Sequence, residues 1–285
     1  MDSQTMLKKL DRIDALPTLP TIAMEVNNML QDDDTSIKDL TQTIEKDQAI
    51  VQRILKLVNS AFFGFQSTIT DISRAVAILG FNTIRNVIIS VSVINAFKGK
   101  DTFKGFDITD FWVHSVGVAI TSKTLAVKTR LHPPEDAFTG GLLHDIGKIV
   151  LSQYFQDLFK KIWVSTRENN LSFYEAEHRE IPIDHAQIGG YLAKKWGLPS
   201  GLIDTIRYHH VLSKSADGLN MMMIVHAADI ILNRLGRDSE NELDLSVIKP
   251  EAVVAMKPHL ETASDWFPGI CEEIKEACEF FIDEG

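Results

Sequence analysis

The amino-acid sequence predicts an all-α protein. Apolar residues recur at intervals of three and four along most of the chain, which is the spacing of one face of a helix. Cap residues and glycines stand where successive apolar runs begin and end. No segment alternates apolar and polar residues between hairpin turns, and the sequence holds no internal repeat. The 285 residues are sufficient for one large domain or two ordinary ones.

Five helices are predicted in the first 100 residues. The first follows Pro20 and has an apolar face of Ile22, Val26, Met29 and Leu30. The second follows the cap residue Ser36 and has an apolar face of Ile37, Leu40 and Ile44. The apolar face of the third consists of Ile50, Ile54, Leu57 and Val58. A fourth is predicted from Thr70 to Gly80, because glycine commonly ends helices. The run from Ile84 to Phe97 could be a strand by its Val and Ile content, but its length favours a buried helix.

The polar stretch KGKDTFKGFD, residues 98–107, is the predicted boundary between two lobes, residues 1–100 and 105–285. Beyond this stretch, Thr109 is predicted to cap a helix. The inner face of that helix carries Phe111, His114, Val118 and Leu125. The next predicted helix contains the sequence GLLHDIGKIV, residues 141–150.

Three more helices are predicted towards the C-terminus. Asp184 is expected to cap the segment HAQIGGYLAKKW, which Gly197 and Pro199 end. Ser200 is expected to cap the helix that holds IRYHH. The segment MMMIVHAADIILNRLG forms another predicted helix, which Gly236 closes.

Composition limits the classes of function. The net charge of -10 argues against binding to nucleic acid, because phosphate backbones favour basic surfaces. The N-terminus lacks the apolar core of a signal peptide, and the run NVIISVSVINAF is too short to span a bilayer. Cys271 and Cys278 lie seven residues apart on one helical face, where they are poorly placed for a mutual disulfide. We therefore expect a cytoplasmic protein without nucleic-acid or membrane partners.

Several ionisable residues fall on apolar faces of successive predicted helices. They are His114, His144, Asp145, His185, His209, His210 and Asp229. Buried ionisable groups are costly unless they are paired or bind a metal. Imidazole and carboxylate together suit Fe, Mn, Zn or Mg, and an aspartate shared between two ions about 4 Å apart would place both against a phosphate.

Each of these residues also has a less specific interpretation. A single histidine on an apolar face is more often a hydrogen-bonded core residue than a ligand, but the joint pattern of five histidines and two aspartates favours a metal site. Without an ion, His114, His144, Asp145 and Asp229 could hydrogen-bond one another. Lys148 could contact a phosphate or extend its charged end into solvent.

The remaining histidines are predicted to lie outside the metal site. His132, His178 and His259 are expected in solvated loops. His226 could support the site or belong to the core.

Separate motifs along residues 15–235 resemble those of the HDOD family, the HD-related output domains of bacterial signalling proteins. They are LPTLPTIAMEV, IEKDQAIVQRILKLVNSAFFGF and ITDISRAVAILGFNTIRNVII in the first half, and FWVHSVGVA, GLLHDIGKIVL, HAQIGGYLAKKWGLP, IRYHH and IVHAADI in the second. The resemblance implies a two-lobed helical fold whose C-terminal lobe is a bundle like that of HD-superfamily phosphohydrolases. It also implies a non-catalytic output or scaffold module in signal transduction. Because the sequence shows no receiver or sensor domain, we expect the signal to arrive from another protein chain.

The resemblance also implies roles for the candidate residues. His114, His144, Asp145 and Asp229 match the complete ligand set of HD-superfamily enzymes for one ion. His185, His209 and His210 match the ligands that the related HD-GYP phosphodiesterases use for a second ion, and Lys148 matches their lysine. The segment HHVLSKSADGLN departs from the HD-GYP pattern, because it lacks the glutamate and the Gly-Tyr-Pro loop that follow the histidine pair.

Two hypotheses follow for the function. In the favoured one, the chain is a non-catalytic signalling module that binds an unidentified signalling protein, and one or two ions of Fe, Mn or Zn are structural. In the alternative, the chain is a metal-dependent phosphohydrolase or phosphodiesterase in which Asp145 bridges two ions and Lys148 contacts the substrate phosphate.

Overall fold

The structure, a computed structural model, describes residues 3–13, 16–29, 34–59, 68–99, 101–213, 218–236 and 243–283. Within these ranges the chain forms helices and turns and no strand, which confirms the all-α prediction. The N-terminal helices are α1 (Ser3–Asp11), α2 (Thr21–Met29), α3 (Ile37–Ile44), α4 (Gln48–Val58) and α5 (Ile72–Phe97). The later helices are α6 (Ile108–Thr129), α7 (Pro134–Leu143), α8 (Ile146–Tyr154), α9 (Gln156–Asn169), α10 (Phe173–Glu180), α11 (His185–Lys195), α12 (Ser200–Tyr208), α13 (Leu219–Leu235), α14 (Pro250–Leu260) and α15 (Ala263–Cys278).

The N-terminal helices pack around α5. Helices α2, α3 and α4 all contact it, and most of their predicted apolar faces are buried. Ile37 is an exception, because it is the first residue of α3 and its side chain is 43% exposed. Leu30 lies outside the described residues. The cap prediction for Ser36 is confirmed, since its hydroxyl accepts the backbone N–H of Asp39.

Helix α5 contains both the predicted break and the predicted buried segment. Gly80 has φ 81° and ψ 164°, a conformation that residues with a Cβ avoid, and the helix is interrupted there. The run from Ile84 onward is helical and largely buried, which confirms a helix over a strand. Of the described helices, α5 alone is long and apolar enough by composition to cross a membrane. Because 61% of its most apolar window is buried inside the protein, α5 has the environment of a core helix.

Three helix starts differ from the sequence prediction by one or two residues. Asp71 rather than Thr70 caps α5, and Asp107 rather than Thr109 caps α6. In both cases an aspartate lies closer to the helix start, and its carboxylate accepts backbone N–H groups of the first turn. Ser200 is the first residue of α12 and does not cap it, since Pro199 occupies the cap position.

The C-terminal helices surround the predicted motif GLLHDIGKIV. Helix α6 packs against α7 and α13, while α11 packs against α8 and α12. The predicted inner face of α6 is confirmed, because Phe111, Val118 and Leu125 are buried. Asp184 caps α11 as predicted by accepting the backbone N–H of Gln187.

The C-terminal end of α11 is attached to the N-terminal half of the chain. The indole Nε1–H of Trp196 donates to the carbonyl oxygen of Pro17 at 2.8 Å, and Asn27 Nδ2 donates to the carbonyl oxygen of Gly197 at 2.7 Å. The ring of Trp196 also meets that of Phe97 edge-on, with 6.2 Å between the centroids. The two halves are therefore in direct contact, and the proposed boundary at residues 100–105 stays a prediction.

Candidate metal centre

His144 and Asp145 lie at the junction of α7 and α8, whereas the sequence predicted one continuous helix. His144 is the residue that ends α7, and Asp145 precedes α8 with φ -101° and ψ 7°. The side chains of consecutive residues in a helix point about 100° apart around the helix axis. The break between α7 and α8 allows the side chains of His144 and Asp145 to face the same part of the protein interior. The His144 ring nitrogen Nδ1 donates to the carbonyl oxygen of Gly141 at 2.7 Å, which directs Nε2 into the protein.

The other predicted ligands come from four further segments. His114 lies in the middle of α6, Asp229 lies in α13, and His185 is the first residue of α11. His209 and His210 follow the last residue of α12, although the sequence analysis placed them within that helix. The structure brings all seven predicted residues together.

Asp145 stands at the centre of the cluster and uses its two oxygens differently. Its Oδ1 lies 2.9 Å from His185 Nε2 and 3.8 Å from His209 Nε2. Its Oδ2 lies 3.3 Å from His144 Nε2, 3.7 Å from His114 Nε2 and 2.5 Å from the ammonium of Lys148. One carboxylate therefore faces two sets of imidazoles.

These contacts define two groups of ligand atoms. The inner group consists of Asp145, His185, His209 and His210, and the outer group consists of His114, His144 and Asp229. Within each group the possible ligand atoms all lie within 4.8 Å of one another. His185 Nε2 and His210 Nε2 face each other at 3.1 Å in the inner group, while His114 Nε2 lies 3.2 Å from Asp229 Oδ1 in the outer group. Either group could hold a metal ion.

Unpaired buried atoms show that the residues fit a metal. His144 Nε2 and His209 Nε2 are buried and make no hydrogen bond, and Asp145 Oδ1 has the ion-pair contact with His185 Nε2 as its near partner. Most buried polar atoms in proteins have a hydrogen-bond partner, so two imidazole nitrogens that face one interior without one call for another partner. A hydrogen-bonded cluster without an ion accounts for His114 and Asp229 but leaves the Nε2 atoms of His144 and His209 unpaired. The donor set of imidazole nitrogen and carboxylate oxygen suits Fe, Mn or Zn.

The charges of the cluster keep most of its residues in the protonation state that binds a metal, with carboxylates ionised and imidazoles neutral. Burial would raise the pKa of Asp145, but His144, Lys148 and His185 outweigh this effect and hold the pKa well below its usual value. Burial and the neighbouring histidines hold the pKa values of His209 and His210 well below normal, so both imidazoles are neutral at pH 7. A neutral imidazole has a free nitrogen lone pair for a metal.

His144 and His185 are different, because each competes with a metal for a proton. Burial lowers the pKa of His144, but the carboxylates of Asp145 and Asp229 outweigh burial and raise the pKa. Burial also lowers the pKa of His185, but the carboxylates of Glu177 and Asp145 outweigh burial and raise the pKa to about 9. In the metal-free protein at pH 7 His185 is therefore protonated. A metal that binds to its Nε2 must displace that proton.

Two further residues support the cluster, and of these only Glu177 was not identified from the sequence. Glu177 in α10 is fully buried and binds His185, although the surrounding sequence FYEAEHRE is typical of an exposed polar helix. His226, whose role the sequence left open, donates from Nδ1 to the carbonyl oxygen of His209 at 2.8 Å and accepts the backbone N–H of Lys249 at 3.1 Å. It therefore holds the segment that carries the histidine pair.

The remaining histidines lie outside the two groups. His178 and His259 lie in α10 and α14 rather than in the predicted loops, and His132 lies in a turn. His178 is exposed, whereas His132 and His259 are half-buried. None of the three belongs to either ligand group.

The cluster forms the floor of an open cleft of about 1280 Å³. The outer group reaches it directly, since the side chains of His114 and Asp229 are 26% and 16% exposed. The inner group is more enclosed, because Asp145, His185 and His209 are buried. The cleft is also lined by the cations Lys148, Arg234 and Lys249, and by the aromatic residues Trp163, Phe173 and Tyr174.

Comparisons with known proteins identify similar chains. The family model of the HDOD domain matches residues 16–212. A solved HDOD domain protein of unknown function from Geobacter sulfurreducens is 26% identical, with a TM-score of 0.77 over 96% of both chains. A protein from Shewanella amazonensis SB2B, whose name assigns it provisionally to the phosphohydrolases, is 23% identical, with a TM-score of 0.75 over 95% of this chain and 97% of that one. At 23% identity, the similarity to the Shewanella amazonensis protein shows that the two chains share a fold.

The sequence also matches part of a longer protein. An uncharacterized protein of Treponema pallidum (strain Nichols) is 31% identical over 218 residues, which are 74% of this chain and 42% of that protein. The chain therefore spans less than half the length of this relative. Asp229 lies beyond the residues that the family model matches, yet it completes the outer ligand group.

Proposed function

This chain belongs to the HDOD domain family, and from that premise we propose that its C-terminal half holds a two-ion metal centre that hydrolyses a phosphate ester. The observation that carries the proposal is the cluster of seven candidate ligand residues, which includes two buried imidazole nitrogens without a hydrogen bond and opens through four of its residues onto a cleft. Ions of Fe, Mn or Zn held there would act as Lewis acids on a phosphate and lower the pKa of water.

The chain's own residues would position the substrate. Lys148 lines the cleft beside Asp145, so its ammonium can contact a phosphate oxygen without leaving the cluster. The exposed edges of His114 and Asp229 make the outer group the side of the centre that a phosphate reaches first. Asp145 and His209 are buried, so the inner group meets the cleft through His185 and His210.

A second candidate is a non-catalytic signalling module in which the ions stabilise the fold and a partner signalling protein binds elsewhere on the surface. The observation that favours it is the enclosure of the inner group. The ring of Tyr174 lies against that of His210, with 4.1 Å between the centroids and 34° between the ring planes, and covers the one half-buried imidazole of this group. The absence of a Gly-Tyr-Pro loop after the histidine pair agrees with this candidate.

Hydrolysis assays separate the two candidates. Metal-free protein would be reconstituted with Mn²⁺ or Fe²⁺ and tested on bis(p-nitrophenyl) phosphate and p-nitrophenyl phosphate. We expect turnover that chelators abolish, that His144→Ala removes and that His178→Ala, a change of an exposed histidine, leaves intact. Stoichiometric metal without turnover on either ester would refute the enzyme and support the signalling module.

A further inference from the structure

Glu177 is a buried carboxylate that binds one ligand of the inner group through two hydrogen bonds. Its Oε2 lies 2.5 Å from Nδ1 of His185, and its Oε1 accepts the backbone N–H of the same residue at 2.9 Å. The side chain of Glu177 is fully buried, so water does not compete for these bonds. Both oxygens of the carboxylate therefore serve a single histidine.

This double contact fixes how His185 faces the cluster. Because Nδ1 carries a hydrogen that is donated to Glu177, the opposite nitrogen Nε2 is the one that faces Asp145 Oδ1 at 2.9 Å and His210 Nε2 at 3.1 Å. A histidine that binds a metal commonly donates its other ring N–H to a carboxylate, which sets the tautomer and the ring orientation.

Helix α10 is built to hold Glu177 in place. It begins with a capping box in which Ser172 and Glu175 satisfy each other's backbone N–H groups. The ring of Phe173 contacts that of His185, with 6.0 Å between the centroids. A rigid helix therefore presents the carboxylate from outside the cluster.

We infer that Glu177 is a positioning residue for the inner metal site, and that it acts by holding His185 in the tautomer whose Nε2 can bind an ion. The inference rests on the proposed metal centre and adds a residue to it. A glutamine at this position replaces one of the two oxygens by an NH₂ group, so one of the two N–H groups of His185 would face a donor instead of an acceptor. Aspartate keeps two acceptor oxygens on a shorter side chain.

The test is a calorimetric titration of metal-free full-length protein with Mn²⁺. Glu177→Gln is compared with Glu180→Gln, which removes the same charge from an exposed position of the same helix. We expect Glu180→Gln to bind like the wild type, and Glu177→Gln to lose about 10- to 100-fold in affinity for one ion while the outer ion is retained. Glu177→Asp should lose less. Unchanged binding of both ions by Glu177→Gln would overturn the inference and leave the metal centre intact.

A second measurement does not depend on a metal. In ¹⁵N-histidine NMR spectra of metal-free wild type, His185 should show a proton on Nδ1 that is shifted far downfield by the hydrogen bond to the carboxylate, and in Glu177→Gln this signal should move upfield or be lost, because an amide oxygen accepts more weakly than a carboxylate. If the wild type binds no Mn²⁺, the proposed metal centre fails, and this signal alone decides on Glu177. The wild-type signal also tests the role of Glu177 if the Glu177→Gln variant does not fold. A wild-type spectrum without the signal overturns the inference.

Discussion

Replacement of Gly147 by alanine should separate α8 and α11, the two helices that begin directly after Asp145 and at His185 of the candidate metal centre. Gly147 is the second residue of α8, and a Cβ atom there would lie 1.9 Å from the carbonyl oxygen of His185 and 2.9 Å from the backbone nitrogen of Gly189. Contacts under 3.0 Å essentially do not occur for real Cβ atoms, so α8 and α11 would have to move apart by about 1 Å. The obstructing atoms belong to the backbone, which cannot rotate away.

The size of the effect follows from that displacement. Overpacking of a well-packed core costs about 1–3 kcal/mol, and we expect Gly147→Ala to lose about 3 kcal/mol of unfolding free energy. The higher helix propensity of alanine, about 1 kcal/mol, offsets only part of the loss. Since His185 Nε2 lies 2.9 Å from Asp145 Oδ1, a shift of about 1 Å should also disrupt the inner ligand group.

Gly269→Ala is the matched control, because a Cβ atom there has no neighbour within 4 Å and the residue lies within α15. We expect this variant to be unchanged or more stable by up to about 1 kcal/mol. Equilibrium urea unfolding measures the stability of both variants, and elemental analysis measures their metal content. Equal stability of Gly147→Ala and Gly269→Ala, with full metal content in both, would refute the close approach of α8 and α11.

Three further predictions concern helix caps, pH and the cleft. Asp71→Ala should lower the free energy of unfolding by about 1 kcal/mol, whereas Thr70→Ala should change it little, and a larger loss at Thr70 in urea unfolding would contradict the assigned cap. Metal affinity measured by calorimetry should rise between pH 6 and 9, because the pKa of His185 is about 9 and the proton must leave; a flat profile would be inconsistent with binding at His185. Lys148→Met should keep its metal, since Lys148 belongs to neither ligand group, but lose about 100-fold or more in phosphate ester hydrolysis; full activity would exclude a phosphate contact.

The residues of the cluster could be singled out from the sequence because each one interrupts an apolar face with a group that is costly to bury. His114 and Asp229 are found this way, since they lie in the middle of long helices whose period is clear. The family resemblance then assigned the same residues to two ions. Neither argument depends on where a helix begins or ends.

Features that depend on tertiary contacts could not be predicted in this way. The break between His144 and Asp145 lies inside an apolar run without proline, so no local signal marks it. Glu177 lies in a polar segment, and its burial results from the packing of α10 over His185. Ile37 fits an apolar face by spacing but is exposed at the start of α3.

Elemental analysis of the full-length protein, purified without a metal-affinity tag, tests the central claim most directly. Wild type would be measured beside His144→Ala and beside His178→Ala, which changes an exposed histidine outside both groups. We predict two equivalents of Fe, Mn or Zn in wild type and His178→Ala, one for each ligand group, and a loss of metal in His144→Ala. Wild-type protein without stoichiometric metal, even after reconstitution with Mn²⁺, Fe²⁺ and Zn²⁺, would contradict the metal centre.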